Sequence, residues 1–254
     1  MRSILVVLIV LFPLGSAIAE QNAQLMFDQA NTMLEENNFS KALESYRNIE
    51  ELGEVSGPLF LNMGIAAMEI DSLGLAKFYF LKAKNFNVTR AKAVEALEFV
   101  NSQFSRQSAI LPKLPWDRAV DHLKEGIGAS GIFILGLIFI FITITFIIAN
   151  WFYPIQIPKK TMLLVVAISL SCCTAFLAFY VDYVDQRYKD GVIVAKQQPV
   201  TTQAIDNADL VSIAYEGYSI TVDTFTSEHT DGWYYIRLGN GQFGWIQTQG
   251  SKIL

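Results

Sequence analysis

The sequence predicts a multidomain membrane protein, with all-α helix hairpins first, two transmembrane helices in the middle and a small all-β barrel at the end. Three observations carry that prediction. Two blocks, Ile127 to Ala149 and Thr161 to Val181, hold no charged residue over 23 and 21 positions. The stretch from Ala23 to Val88 repeats itself at an offset of 34 residues. From Gly191 onward the apolar spacing shortens to alternating runs broken by Gly, Asn and Asp.

The first element in chain order is a targeting segment. ILVVLIVLFPL at positions 4 to 14 follows Arg2 and leads into GSAIAE, with Ala17 and Ala19 placed for a cut before Glu20. That is the three-part pattern of a secretory signal over 1–19, an uncleaved anchor being the alternative, and either would export the residues C-terminal to it. Residues 20–104 then form the repeat domain, and 105–126 a linker. Within the linker Trp116, Val120 and Leu123 share one face of a short helix, which predicts an amphipathic segment lying on the membrane surface.

Each charge-free block is long enough to span hydrocarbon, since about 20 helical residues cover roughly 30 Å. The spans are read as 127–149 and 161–181. Trp151, Phe152 and Tyr153, then Pro154 and Pro158, suit a headgroup-level belt and a tight turn. Lys159 and Lys160 make the connection 150–160 basic, which favours the cytoplasmic side. Both flanking regions are therefore expected in the same, outer compartment. Lys113, Arg118 and Lys124 weaken that charge argument, so the signal segment bears most of it.

Composition excludes several classes. A net charge of -5 lacks the basic stripe that nucleic acid requires. The two cysteines, Cys172 and Cys173, are adjacent and mid-span, poorly placed for a disulfide, and read as small packing residues. His229, Asp231, Glu228 and Asp223 lie close in sequence, but no nucleophile accompanies them and the other histidine, His122, lies in the linker. A solvated loop is the expectation, with no catalytic residue, no metal and no cofactor, so the chain is read as non-enzymatic.

Within the repeat, Ala30 aligns with Gly64, Met33 with Ala67, Ala42 with Ala76, Tyr46 with Phe80 and Ile49 with Ala83. Apolar positions follow helical spacing, and EENNF and EIDSL supply the turns inside two antiparallel helix pairs. A further helix, Thr89 to Gln103, carries Val94, Leu97 and Val100 in a stripe to cover the end of the stack. These units resemble the tetratricopeptide repeat family, with Met26 and Phe60 where that family favours Trp and Val88 where it often has Pro. The resemblance implies a peptide- or protein-binding groove lined by Phe27, Asn31, Leu34, Leu61, Ile65 and Met68. The same positions also suit packing against neighbouring helices. The basic pattern used to clamp a C-terminal carboxylate is missing.

In the last region, 190–254, the runs GVIVA, LVSIAY, SITVDTF, WYYIRL and FGWIQ predict five short strands of a barrel. Alternation puts Tyr234, Ile236 and Leu238 on the core face and Trp233, Tyr235 and Arg237 on the outer face. GNG suits a tight hairpin, and Gly244 gives room to a crossing strand. The ending resembles the bacterial Src-homology-3-like (SH3-like) domain, while AKQQPVTTQAI departs from its usual first turn. The resemblance makes Trp233, Tyr235 and Arg237 a candidate binding surface.

Signal segment, repeats, two spans and SH3-like ending, in that order, resemble the BatE-type proteins of the Bacteroides aerotolerance operon. That resemblance implies a membrane-anchored adaptor in an envelope stress complex, with von Willebrand A-type membrane proteins as protein partners. A module that binds peptidoglycan or its stem peptide is the other expectation.

Overall fold

The computed structural model describes residues 22–106, 111–112, 115–152 and 160–254. The signal segment and the connection around Pro154, Pro158 and Lys159 lie outside the described residues. Two compact units result. One joins the segments up to Ile110 and from Asp190, and the other is Leu111–Lys189.

In the first unit two helical hairpins precede a fifth helix. Helix α1 covers residues 22–35, and α2 Phe39–Glu51, α3 Gly57–Glu69, α4 Leu73–Lys84 and α5 Arg90–Gln103 come after it. The 34-residue offset extends to the backbone. Asn37 and Asp71, equivalent in the two copies, both take left-handed angles, with φ of 61° and 57°. Asn38 N–H donates to the Met33 carbonyl at 2.8 Å, and its counterpart Ser72 to that of Ala67 at 2.9 Å. This Schellman-type ending closes each first helix with a residue that tolerates φ > 0. Ser56 then starts the second copy by accepting from Leu59 N–H at 3.2 Å, with Pro58 in the first turn, where its missing N–H costs nothing.

The aligned small and aromatic pairs explain the packing. Ala30, Ala42, Ala67, Ala76, Tyr46 and Phe80 are fully buried in one core. A Cβ on Gly64 would lie 2.4 Å from the Phe80 ring, so the helices approach closely only because the position is glycine. In α5 the buried stripe is Ala93, Leu97 and Val100, while Val94 is 37% exposed. The expected stripe from Val94 is corrected here by one residue, because the 4-then-3 spacing of 93, 97 and 100 tracks a 3.6-residue turn more closely than 3-then-3.

The sheet of this unit has seven strands, β1 Tyr188–Ile193, β2 Gln197–Thr201, β3 Leu210–Tyr215, β4 Ser219–Asp223, β5 Trp233–Leu238, β6 Phe243–Gln247 and β7 Ser251–Ile253. Their order is β3-β2-β6-β5-β4-β1-β7. The described pairs β1 with β7, β2 with β3 and β6, β4 with β5, and β5 with β6 are antiparallel. The expectation of five strands closed into a barrel is thus corrected on two counts. Strand β2 has the sequence of a loop, because Pro199 interrupts a polar run, yet that proline is accommodated opposite Ile213. Closure is not reached: β3 and the three-residue β7 stand at opposite edges of the sheet. Ile193, Val200, Ala214, Ile220, Val222, Ile236, Leu238 and Ile246 form the sheet's core. A four-residue helix, α9 at Thr224–Ser227, is capped by Asp223, whose side chain accepts from Thr226 N–H.

The second unit holds α6 Pro115–Gly126, α7 Gly128–Phe152 and α8 Lys160–Arg187. Helices α7 and α8 are long and apolar enough to cross a membrane. They extend beyond the expected spans, α7 taking in Trp151 and Phe152 and α8 running to Arg187. Gly136 is a close-approach point, since a Cβ there would lie 3.1 Å from Thr174 Oγ1. Helix α6 is amphipathic as expected. Its Val120 and Leu123 pack, partly buried, onto Ile132, Ala178 and Val181 of α7 and α8. Lys124 pairs with Asp185.

Candidate functional site

The six groove positions are all half-buried and built into the helical core. Phe27, Leu34, Leu61, Ile65 and Met68 pack against that core while keeping part of their surface. Phe27 tilts against Tyr46, ring centroids 5.8 Å apart. Asn31 is engaged within the fold, its Oδ1 accepting from the Tyr46 hydroxyl at 2.6 Å and from Asn62 Nδ2 at 2.8 Å. This network ties α1, α2 and α3 together. It commits the Asn31 oxygen to the chain's own groups, and the remaining five positions offer apolar area only.

The outer face of β5 and β6 is better organised. Hairpin pairing sets Trp233 opposite Gln247, Tyr235 opposite Trp245 and Arg237 opposite Phe243. The loop Gly239-Asn240-Gly241 places them in that register, with Gly241 at φ 85° and the Leu238 N–H bonded to the Gln242 carbonyl at 2.8 Å. Tyr235 stacks on Phe243 at 6.2 Å and 15°, and tilts against Trp245 at 5.1 Å. The Arg237 guanidinium lies 5.7 Å from the Phe243 ring centre. On the other face Ile236 and Leu238 are buried and Tyr234 packs beside them, as alternation predicts. Phe243 and Trp245 complete a row that the strand pattern of β5 alone does not reveal. Their signal is the hairpin register across Gly239-Asn240-Gly241.

No family model and no curated protein matches this chain. Among the described residues no group of three His, Cys, Asp or Glu side chains could hold a metal ion. Asp223, from the acidic and histidine loop, serves the start of α9 through Thr226 N–H at 3.1 Å.

A third arrangement has no counterpart in the sequence pattern. The turn between β3 and β4 inserts at the start of α4. Glu216 Oε1 accepts from Gly74 N–H at 2.9 Å, and Lys77 Nζ donates to the Gly217 carbonyl at 2.6 Å. Lys196 Nζ donates to the Asp71 carbonyl at 2.9 Å and reaches Glu216 Oε2 at 2.9 Å. Burial lowers the Lys77 pKa, and the hydrogen bond to Glu216 raises that of Lys196. Lys196 is 66% exposed, so its ion pairs contribute little. Arg106 Nη1 donates to the Tyr215 hydroxyl at 2.8 Å and lies over its ring at 4.3 Å. The sequence holds one clue: Gly74 and Lys77 replace Ser40 and Leu43 of the first copy.

Proposed function

We propose that this protein is a non-enzymatic, membrane-anchored adaptor of the BatE type. In this reading the hairpins are tetratricopeptide repeats and the sheet is an SH3-like domain. Helices α7 and α8 cross a bacterial inner membrane as a hairpin, with residues before 127 and after 190 on the periplasmic side. What supports that topology is that both flanking segments belong to one compact unit, which requires them to lie on the same side of the membrane. The adaptor presents its surfaces to protein partners, membrane-anchored von Willebrand A-type proteins by the resemblance, in an envelope stress or aerotolerance complex.

The observation that carries the binding role is the outward row of Arg237, Phe243, Tyr235 and Trp245 on the β5–β6 hairpin. Aromatic and arginine side chains dominate protein-binding energetics because they bury large areas at low ordering cost. The test is cross-linking with mass spectrometry in native membranes, comparing the natural chain with an Arg237→Glu, Phe243→Ser double variant. Both side chains are exposed, so the variant should fold. Loss of cross-links from β5 and β6 to a von Willebrand A-type protein is expected, and unchanged cross-links would sink the reading.

The near-parallel Tyr235 and Phe243 rings favour one alternative, a sugar or stem peptide of peptidoglycan laid across them. Retention of the full chain, but not the double variant, on purified wall sacculi would point there.

A further inference from the structure

Strand β1 lies between two cores. Val192 is fully buried among the helical hairpins, whereas its neighbour Ile193 is fully buried in the sheet. Alternation along a strand sends the two side chains to opposite faces, and here each face has its own core. Around this strand the helices carry groups that need partners. Gly74 N–H is among the donors that a helix start leaves without an intrahelical acceptor, and Ser72 provides no side-chain cap. Lys77 is a half-buried cation, costly to hold without an acceptor. The backbone around Gly74 is shaped for the sheet, since a Cβ there would meet the Ile193 carbonyl oxygen at 2.6 Å.

The groups that meet these needs are Val192, Glu216 and Gly217, and all three lie beyond both apolar helices in the chain. A ribosome delivers them last. We infer that this junction is a checkpoint on membrane insertion: the second helical hairpin becomes fully stable only after both apolar helices have crossed and returned the sheet to its side. The inference rests on the reading that α7 and α8 span the membrane. A chain inserted with one crossing would leave Gly74 N–H uncapped, Lys77 without its carbonyl and an apolar hole where Val192 belongs. Such a chain is open to proteolysis, which tracks the population of the open form.

Limited proteolysis of the full chain in its native membrane tests this, scored on peptides from residues 73–104. Val192→Asp and Glu216→Ala should each raise cleavage there about tenfold or more, although both substitutions are in the sheet. Glu216→Gln keeps an oxygen for Gly74 and should restore most of the resistance. A chain with a third apolar span of about 20 residues inserted after Arg187, which carries the sheet across the membrane, should match Val192→Asp. If the helices of Val192→Asp and Glu216→Ala resist as the natural chain does, the junction has no such role. If those variants are sensitive but the three-span chain resists, the checkpoint is overturned. Partner cross-linking through β5 and β6 in the natural chain is unaffected by either result, so the adaptor reading stands or falls separately.

Discussion

Asn31 and Tyr46 meet at 2.6 Å, the fully buried tyrosine donating its hydroxyl to the amide oxygen of a residue 15 positions earlier. The same oxygen accepts from Asn62, so one side chain joins three helices. Asn31→Leu removes the acceptor and leaves the Tyr46 hydroxyl to seek another. The expected loss is about 1–3 kcal/mol of unfolding free energy, the cost of a stranded buried polar group, read by chemical denaturation. Partner binding through β5 and β6 should not change.

The same tyrosine predicts an alkaline limit. Burial pushes the Tyr46 pKa up to about 12 from an ordinary value of 10.0. The unfolded chain therefore releases this proton first. Its contribution to stability is complete below pH of about 10 and is lost as pH rises towards about 12. Tyr79, raised in the same direction by burial, adds to the slope. Denaturation midpoints measured across that window should fall less steeply in Tyr46→Phe.

Gly64→Ala tests the close approach in the second copy. Its new Cβ falls 2.4 Å from a ring that is itself fully buried, so backbone or ring must shift. Overpacking of this kind costs about 1–3 kcal/mol, and Phe80→Leu in the same chain should recover part of it. Thermal unfolding of the double variant near that of the natural protein would bear the pairing out.

Gly244→Ala should act on the sheet in the same way. A Cβ there lies 2.5 Å from Val200 and 2.8 Å from the Thr201 carbonyl oxygen, and the oxygen belongs to backbone. Strand β2 would be pushed from β6, to which it is joined at Thr201 and Trp245. Faster hydrogen exchange at residues 197–201, with β4 and β5 still protected, is the expected signature.

Much of the architecture was legible because it follows from periodicity. The 34-residue offset located both helical hairpins, charge-free length located α7 and α8, and alternation assigned Ile236 and Leu238 to the core. What escaped were features defined by a partner far away in the chain. Strand β2 contains Pro199, a residue that ordinarily breaks strands, and Gln198, whose burial depends on the Gln247 carbonyl, which its Nε2 reaches at 3.2 Å. Glu216 looks like a surface charge until the start of α4 is beside it, where it accepts from Gly74 N–H. Of the candidate groove, Asn31 belongs chiefly to the fold, which spacing along one helix does not disclose.

The left-handed turns at Asn37 and Asp71 have one further consequence. The two copies share this left-handed turn but differ at two equivalent positions, Ser40 against Gly74 and Leu43 against Lys77. Gly74 N–H and Lys77 Nζ meet Glu216 and the Gly217 carbonyl, so the start of the second copy's second helix docks a turn of the sheet through two positions. Grafting Gly and Lys into the first copy would ask how few changes make a docking place for an acidic turn.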